Sequence, residues 1–462
     1  MPMNIHFTAI GGAVMHSLAI ALHRQGHTVT GSDDKIADPA RTNLAREGIL
    51  PENEGFYPEK ITKSLDAIIL GMHARIDNVE LVKAQELGIP IYSFPHFIYE
   101  FAKNKKRIVI AGSHGKTTIT SMVMHVLHTN GMDIDYMVGA KVKGFDTGVR
   151  LSDAASIIVL EGDEYLASPI ERESKFMFYH PHIALITGVA WDHINVFPVY
   201  EGYVNQFRKF AESVEAGGAI AYYSGDIELQ RIFAEYNSSH EGAKTQSVKV
   251  WPYTSSRYEV RENRCYIITD EGEYAMVIFG AHNMQNMEGA RLVCREVGIT
   301  DHQFYTAMSS FEGAANRLEK LGENAETVIY KDFAHSPSKL TATVNAMKEQ
   351  YTNRRLVAVM ELHTFSSLNK DFLSEYAHAM DRADTAVVFI DDEAMKLKQM
   401  PPLDHELIVK SFGRDDLRVM TSKEELESFL LSQKWAQSNL LLMSSGHYGG
   451  MNLKALTKEV LV

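Results

Sequence analysis

The stretch RIVIAGSHGKTTITSMVMHVL, residues 107–127, constrains this chain more than any other. RIVIA is a compact apolar run, suited to a strand buried on both faces of a parallel sheet. From Lys116 onward, Ile119, Met122, Val123, Val126 and Leu127 recur at helical spacing. A glycine turn joins the two, so the chain must build an α/β layer around a strand–loop–helix unit. The common phosphate-loop spacing, G-x-x-x-x-G-K-[ST], asks for glycine where Ile110 stands. Ile110 belongs to the strand, and the loop proper starts at Gly112. The backbone N–H groups of Gly112, Ser113, His114, Gly115 and Lys116 lead into the helix N-terminus, where the dipole favours anions. Lys116 is placed to reach terminal phosphates, and Thr117, followed by Thr118, offers a hydroxyl to Mg²⁺. The expected cofactors are ATP and Mg²⁺.

Two later strands end in polar residues. ASIIVLEGDEYL finishes on Glu161, Asp163 and Glu164, and HIALITGVAWDH on Asp192 and His193. In parallel α/β sheets, ligand sites lie at the carboxyl ends of strands, so Lys116, Thr117, Glu161 and His193 are expected on one rim. Carboxylate and phosphate oxygens suit Mg²⁺, and an imidazole adds a second, less typical metal position. Taken singly, Glu161 and Asp163 read as a capped surface turn and His193 as a core histidine.

The chain divides into three blocks, 1–105, 106–317 and 318–462. In the first, NIHFTAI, a helix from Val14 to Gln25 ended by Gly26, and HTVTGSD form a βαβ unit, with LDAIILG as a third strand. Its turn holds Gly11 and Gly12, but Ala9 stands where a dinucleotide fingerprint wants its first glycine. Asp33 falls where such a fold holds a ribose. Glycines that merely close a tight turn explain the same residues. KNKKR, residues 103–107, is a polar break that reads either as a linker or as a solvated surface. In the third block VIYKDFAHSPSK, RRLVAVMEL, TAVVFI and SNLLLMSSG alternate with helical stretches, a smaller α/β domain. The expected fold is therefore α/β, with a Rossmann-like first domain, a central phosphate-loop parallel-sheet domain and a smaller α/β third domain.

The formal charge of -13 argues against a general nucleic-acid or anionic-membrane binder. Two cysteines, Cys265 and Cys294, indicate no disulfide framework, as in a reducing cytoplasm. The N-terminal stretch lacks the pattern of a signal peptide, and no stretch approaches the ~18 apolar residues of a membrane span. No obligate protein partner is evident.

GSHGKTT, EGDE, the next strand-end DH, GAHNMQN and DFAHSP, in this order and spacing, resemble the Mur ligases, ATP-dependent amino-acid and peptide ligases of bacterial cell-wall synthesis. The resemblance spans the whole chain. It implies that Lys116 and Thr117 hold ATP phosphates and Mg²⁺. It implies that Glu161 and His193 hold a second Mg²⁺ between the γ-phosphate and the acceptor carboxylate. Asn283 and Asn286 would hold the adenine side, Arg317 would touch ATP, Asp332 would take the ribose, and His335 would sit near the nucleotide. Gly12, Met15, Ser32 and Asp33 would hold a UDP-sugar.

Within the family, IHFTAIGGAVM, DEY, SKFMFYHP, DHINVFP, DFAHSPSK and SSGHYGG are most similar to members that join a cell-wall tripeptide to UDP-N-acetylmuramate during peptidoglycan recycling. HTF at His363 to Phe365 is more similar to members that join L-alanine to the same acceptor. Leu166, Ser336 and His363 depart from the family pattern. Some members carry a carbamylated lysine after the metal histidine; here Arg208 stands fifteen places past His193, beside Lys209, and no such lysine is expected. A regulatory or transport NTPase, or a nicotinamide-dependent dehydrogenase built on the first block, are the readings from other classes. The segments 103–107 and 317–322 are expected hinges.

Overall fold

The structure, a computed structural model, describes residues 2–72, 74–191, 196–239, 247–397 and 400–462. Among them the chain forms two compact units, Met1–Ser255 with Gln285–Met308, and Ser256–Met284 with Ser309–Val462.

The first unit holds two sheets. Strands β1 (Asn4–Thr8), β2 (Thr28–Ser32), β3 (Ala67–Leu70) and β4 (Ile91–Ser93) run parallel in the order β2-β1-β3-β4. Helix α1 (Ala13–Arg24) buries every residue from Met15 to Leu22, so its middle is covered on all sides. Helices α2 (Ala40–Arg46), α3 (Val79–Leu87) and α4 (Phe94–Ala102) complete this layer. Helix α3 starts where the Asn78 side chain accepts the Glu80 and Leu81 N–H groups, and stops at left-handed Gly88.

The second sheet contains β5 (Lys106–Ala111), β6 (Ile134–Met137), β7 (Val149–Arg150), β8 (Ile157–Glu161), β9 (Ile183–Ile186), β10 (Ala219–Tyr223) and β11 (Lys249–Tyr253). Its order is β11-β10-β9-β5-β8-β6-β7, parallel except for β7. Helices α5 (Lys116–Thr129), α6 (Tyr200–Glu212) and α7 (Ile227–Ser239) pack around it. Strand β5 lies between β8 and β9, so the chain departs to opposite sides of it and a crevice opens beyond its carboxyl end. One apolar core serves both sheets, running from Phe7 and Leu18 to Val109, Ile186 and Phe207.

The polar run at 103–107 differs from its sequence reading. Lys105 Nζ meets Asp135 at 2.7 Å and the Ala155 carbonyl at 2.7 Å, and it also donates to the Ser152 carbonyl. Arg107 donates to the carbonyls of Lys103 (2.7 Å), Tyr179 (2.8 Å) and His180 (2.9 Å) and to Glu215 (3.1 Å). For Arg107 the physical reason is the end of α4, whose last carbonyls lack helical partners and attract cationic donors, whereas Lys105 is drawn in by buried Asp135 and two loop carbonyls.

The second unit opens with an antiparallel meander, β12 (Tyr258–Arg261), β13 (Arg264–Thr269) and β14 (Gly272–Met276). Helix α8 (Ala281–Arg295) contains the boundary between the units, and α9 (Asp301–Met308) belongs to the first. The main sheet of the second unit comprises β15 (Glu319–Glu323), β16 (Val328–Asp332), β17 (Arg355–Leu362), β18 (Thr385–Ile390), β19 (Arg418–Met420) and β20 (Ser438–Met443). Its order is β15-β16-β20-β17-β18-β19, parallel apart from β15, and α10 (Pro337–Gln350) follows β16. Ile329, Val357, Val387, Leu440 and Leu442 anchor a separate core. Among the described residues no helix is long and apolar enough to cross a membrane.

Candidate active site

The loop after β5 takes its shape from two glycines. Gly112 has φ +122, and a Cβ there would stand 2.1 Å from Thr187 Oγ1. Gly115 has φ +76, and a Cβ would stand 2.4 Å from Asn286 Oδ1. Both positions exclude any side chain on backbone conformation and on space. Thr187, at the end of β9, donates its hydroxyl to the His114 carbonyl, and the Ser113 N–H donates to the Gly188 carbonyl at 3.0 Å. The loop is thus moulded by the next strand end and by α8.

Lys116 folds back over this loop. Its Nζ donates to the Gly112 carbonyl at 2.6 Å and to Glu164 Oε2 at 2.8 Å. Burial opposes its charge, but Glu164, Asp163 and Glu161 outweigh burial and hold the pKa above the ordinary lysine value. Burial likewise works against Asp163, yet Lys175, 2.6 Å away, and Lys116 bring its pKa down to about 2. Thr117 Oγ1 donates to Glu161 Oε1 at 2.8 Å, while Glu161 Oε2 accepts the Gly139 N–H at 2.8 Å. Thr118 is buried beneath the loop. Lys116, Thr117, Glu161 and Asn286 are therefore gathered at one rim. His193 lies outside the described residues. Arg208 pairs on α6 with Glu201 and Glu235.

Sequence reasoning placed Glu164 at this strand end but gave it no part in the site. It missed Thr187 and Tyr203 altogether. Tyr203 Oη donates to Glu164 Oε1 at 3.2 Å and lies 2.9 Å from Ser113 Oγ. A polar residue at a buried helical position of YEGYVNQF was the available signal.

At the carboxyl end of the first sheet, Gly12 caps α1 and Met15 packs beside it. Asp33 Oδ2 accepts the Gly11 N–H at 2.7 Å, closing the glycine turn. Burial, reinforced by Asp34, pushes the Asp33 pKa up to about 6. Ser32 is fully buried, and its hydroxyl accepts from Lys60 Nζ at 3.2 Å. Buried Glu80 accepts from His6 at 3.2 Å, Thr8 at 3.0 Å and the Tyr57 N–H at 2.9 Å. Glu80 and Lys60 escaped the sequence reading because their partners lie far away along the chain.

In the second unit, Asp332 ends β16. One oxygen accepts the Leu318 N–H and the other the Ala334 N–H, each at 2.7 Å. Burial raises its pKa against these bonds and the nearby Arg317. The Arg317 guanidinium sits 4.7 Å from the Phe333 ring centroid. His335 holds its Nδ1 2.7 Å from the Phe333 carbonyl, and Tyr376 Oη donates to the His335 carbonyl at 2.5 Å. Asn283 donates its side-chain amide to the Phe279 carbonyl at 2.9 Å. Arg317, Asp332 and His335 are thus brought together around the end of β16.

A glycine-moulded loop, a lysine on a helix N-terminus and a threonine–carboxylate pair at adjacent strand ends match the pattern of a phosphate-loop site for a nucleoside triphosphate. Family models narrow the class. The Mur ligase family catalytic domain matches residues 4–106, the Mur ligase middle domain 110–294, and the Mur ligase glutamate ligase domain 316–446. The UDP-N-acetylmuramate–L-alanine ligase of Lactococcus lactis subsp. cremoris MG1363 is 31% identical over 396 residues, 83% of each chain. The UDP-N-acetylmuramate–L-alanyl-γ-D-glutamyl-meso-2,6-diaminoheptandioate ligase of Escherichia coli K12 is 27% identical over 463 residues, 98% of each. The crystal structure of UDP-N-acetylmuramate-alanine ligase MurC from Thermotoga maritima superposes with a TM-score of 0.71 at 19% identity, covering 99% of this chain and 98% of that one. The chain belongs to the Mur ligase family, ATP-dependent acid–amino-acid ligases of peptidoglycan synthesis.

Proposed function

We propose that this chain joins the tripeptide L-alanyl-γ-D-glutamyl-meso-diaminopimelate to UDP-N-acetylmuramate, in the recycling of peptidoglycan. The observation that carries the chemistry is the convergence of Lys116, Thr117 and Glu161 on the loop after β5. The choice of tripeptide rests on the motif set and on the end-to-end similarity to the Escherichia coli tripeptide ligase. A second reading, L-alanine as the amine, draws on His363-Thr364-Phe365 and on the 31% identity to an alanine ligase.

A carboxylate is a poor electrophile. Transfer of the γ-phosphoryl group to a carboxylate oxygen expels ADP and leaves an acyl phosphate. The amine then attacks the acyl carbon, loses a proton, and phosphate departs. The first step brings two anions together, a repulsion that is costly at low dielectric. Lys116 and the N–H groups from Gly112 to Lys116 offset it and stabilise charge in the transition state. Lys116 must first exchange Glu164 and the Gly112 carbonyl for phosphate oxygens. Thr117 Oγ1 and Glu161 Oε1, 2.8 Å apart, are hard oxygen donors of the kind Mg²⁺ takes, and His193 is the proposed further ligand. Bound there, Mg²⁺ supplies charge neutralisation between phosphate and carboxylate.

Asn286, against Gly115, and Asn283 hold the adenine side. Arg317 and His335 are proposed nucleotide contacts on the family resemblance alone. Asp332 braces that turn through two N–H groups and keeps lone pairs for a ribose hydroxyl. Gly12, Met15, Ser32 and Asp33 take the UDP-sugar, with Asp33 holding the turn on which α1 presents its N-terminus.

The test is ADP release with UDP-N-acetylmuramate and either tripeptide or L-alanine. Release that requires tripeptide supports the first reading. Release with alanine replaces it by the second, and silence with both rejects the pair.

A further inference from the structure

Tyr203 sits on α6 with no exposed surface, its ring against Phe197 and Phe207 at centroid distances of 5.6 and 5.3 Å. Nothing in apolar packing calls for its hydroxyl. That hydroxyl joins residues from three strand ends. Glu164 Oε1, beyond β8, is 3.2 Å away, and Ser113 Oγ, beyond β5, is 2.9 Å away. Ser113 Oγ accepts the Ala190 N–H, beyond β9, at 2.8 Å.

Donor chemistry fixes the end of this chain at Glu164. An ionised carboxylate only accepts, so Tyr203 gives its proton to Glu164. Ser113 carries one proton, which serves the Tyr203 oxygen or the Gly188 carbonyl 3.4 Å away, while its own oxygen accepts from Ala190. A continuous line of contacts thus runs from the Ala190 N–H through Ser113 and Tyr203 to the carboxylate that pairs with Lys116 at 2.8 Å. Such chains polarise one another and act as a unit.

We propose that Tyr203 is a positioning residue that couples the state of Lys116 to the segment 188–191, which runs on in sequence to Asp192 and His193. The proposal rests on Lys116 as the phosphate ligand. Lys116 then has two alternative partners, Glu164 in the free loop and a phosphate in the occupied one. When phosphate takes the lysine, the Lys116–Glu164 ion pair is broken. The Glu164–Tyr203 bond answers that change, and the line of contacts carries it back to Ala190. The residues after β9 thereby acquire a geometry that depends on a terminal phosphate in the loop.

The protein carries a reporter. Trp191 follows Ala190, is nearly half exposed, donates its Nε1–H to the Phe197 carbonyl at 3.0 Å, and has its ring 5.7 Å from that of Tyr200. The chain has three tryptophans, so Trp251→Phe with Trp435→Phe leaves Trp191 alone. This parent is titrated with β,γ-methylene-ATP plus Mg²⁺ and, separately, with ADP plus Mg²⁺. Binding is measured by calorimetry, and the Trp191 emission is followed. The expected result is an emission change with the methylene analogue that ADP does not reproduce. Adding Tyr203→Phe keeps the analogue's Kd within about threefold and removes most of the emission change. A purely structural tyrosine would leave that change in place at equal occupancy.

In the otherwise unaltered chain, Tyr203→Phe and Ser113→Ala each lower kcat for ADP release on the order of tenfold, and the double variant is no worse than the poorer single. A full emission change in the Tyr203→Phe protein, or losses that multiply in the double variant, overturns the coupling. Analogue that binds the parent without moving Trp191 does the same while sparing the nucleotide site. Analogue that fails to bind the parent at all removes the phosphate-loop reading and the coupling with it.

Discussion

Ala9 holds φ +68, a left-handed conformation that glycine adopts freely and alanine does not. Its N–H and that of Ile10 both donate to the Ser32 carbonyl, which fixes the turn in spite of the strain. The missing fingerprint glycine is thus missing only as a residue type; the backbone still has the glycine shape. Ala9→Gly should raise stability in urea unfolding by about 0.5–1 kcal/mol, strain relief less the added freedom of the unfolded chain. Asp33 makes the same turn sensitive to pH. Its folded pKa of about 6 stands above the unfolded value, so the folded state binds the extra proton. Its contribution is favourable at low pH and fades as pH rises from about 4 through 6, by roughly 2–3 kcal/mol. Asp33→Asn should flatten that part of the stability profile, read as the difference between the two proteins at pH 4.5 and 7, both expressed by the same linkage relation. Lys116→Ala should cut kcat on the order of a thousandfold. It also removes the Lys116–Glu164 ion pair at a buried carboxylate, so a lower unfolding midpoint with an unchanged circular dichroism spectrum accompanies the loss.

At the scale of elements, β5, its loop and α5 were legible because local signals agree: an apolar run, two glycines and a helical repeat. Glu161 was legible as the last residue of an apolar strand. The part played by Glu164, and Tyr203 and Thr187 altogether, were not, since each acts through a contact between segments far apart in sequence, and no periodicity encodes that; Asn286 was named only through the family resemblance. The meander β12–β14 was missed for a different reason. It is largely solvated, so its alternation of apolar and polar residues is faint. The run KNKKR was misleading in the opposite sense. Lysines and arginines read as solvent-facing, yet Lys105 and Arg107 are buried and fasten the end of α4 and the start of β5. Lys105→Met keeps the stem and removes the charge, leaving fully buried Asp135 with the Ser152 N–H and hydroxyl as close donors and the Arg150 guanidinium 3.8 Å away. The cost should be about 3 kcal/mol, measured by urea unfolding. A loss below about 0.5 kcal/mol would mean that this junction is an ordinary exposed linker after all.

For the molecule as a whole, the two compact units have separate cores, and the first carries both the phosphate loop and the proposed sugar-nucleotide turn over one shared core. Chains built this way need not unfold in one step. Ligands stabilise only the cooperative unit that binds them, by an amount set by concentration relative to Kd. A Mg²⁺–ATP analogue at about a hundred times its Kd therefore adds about 2.7 kcal/mol to one unit. In scanning calorimetry, that analogue and UDP-N-acetylmuramate should displace the same transition, because β1–β4 and β5–β11 share residues of one core. The assignment is made with Lys105→Met, which lowers the transition of the first unit. If the analogue and the sugar nucleotide move different transitions, the first two sheets unfold independently, and the apolar contacts between them do not bind them into one thermodynamic body.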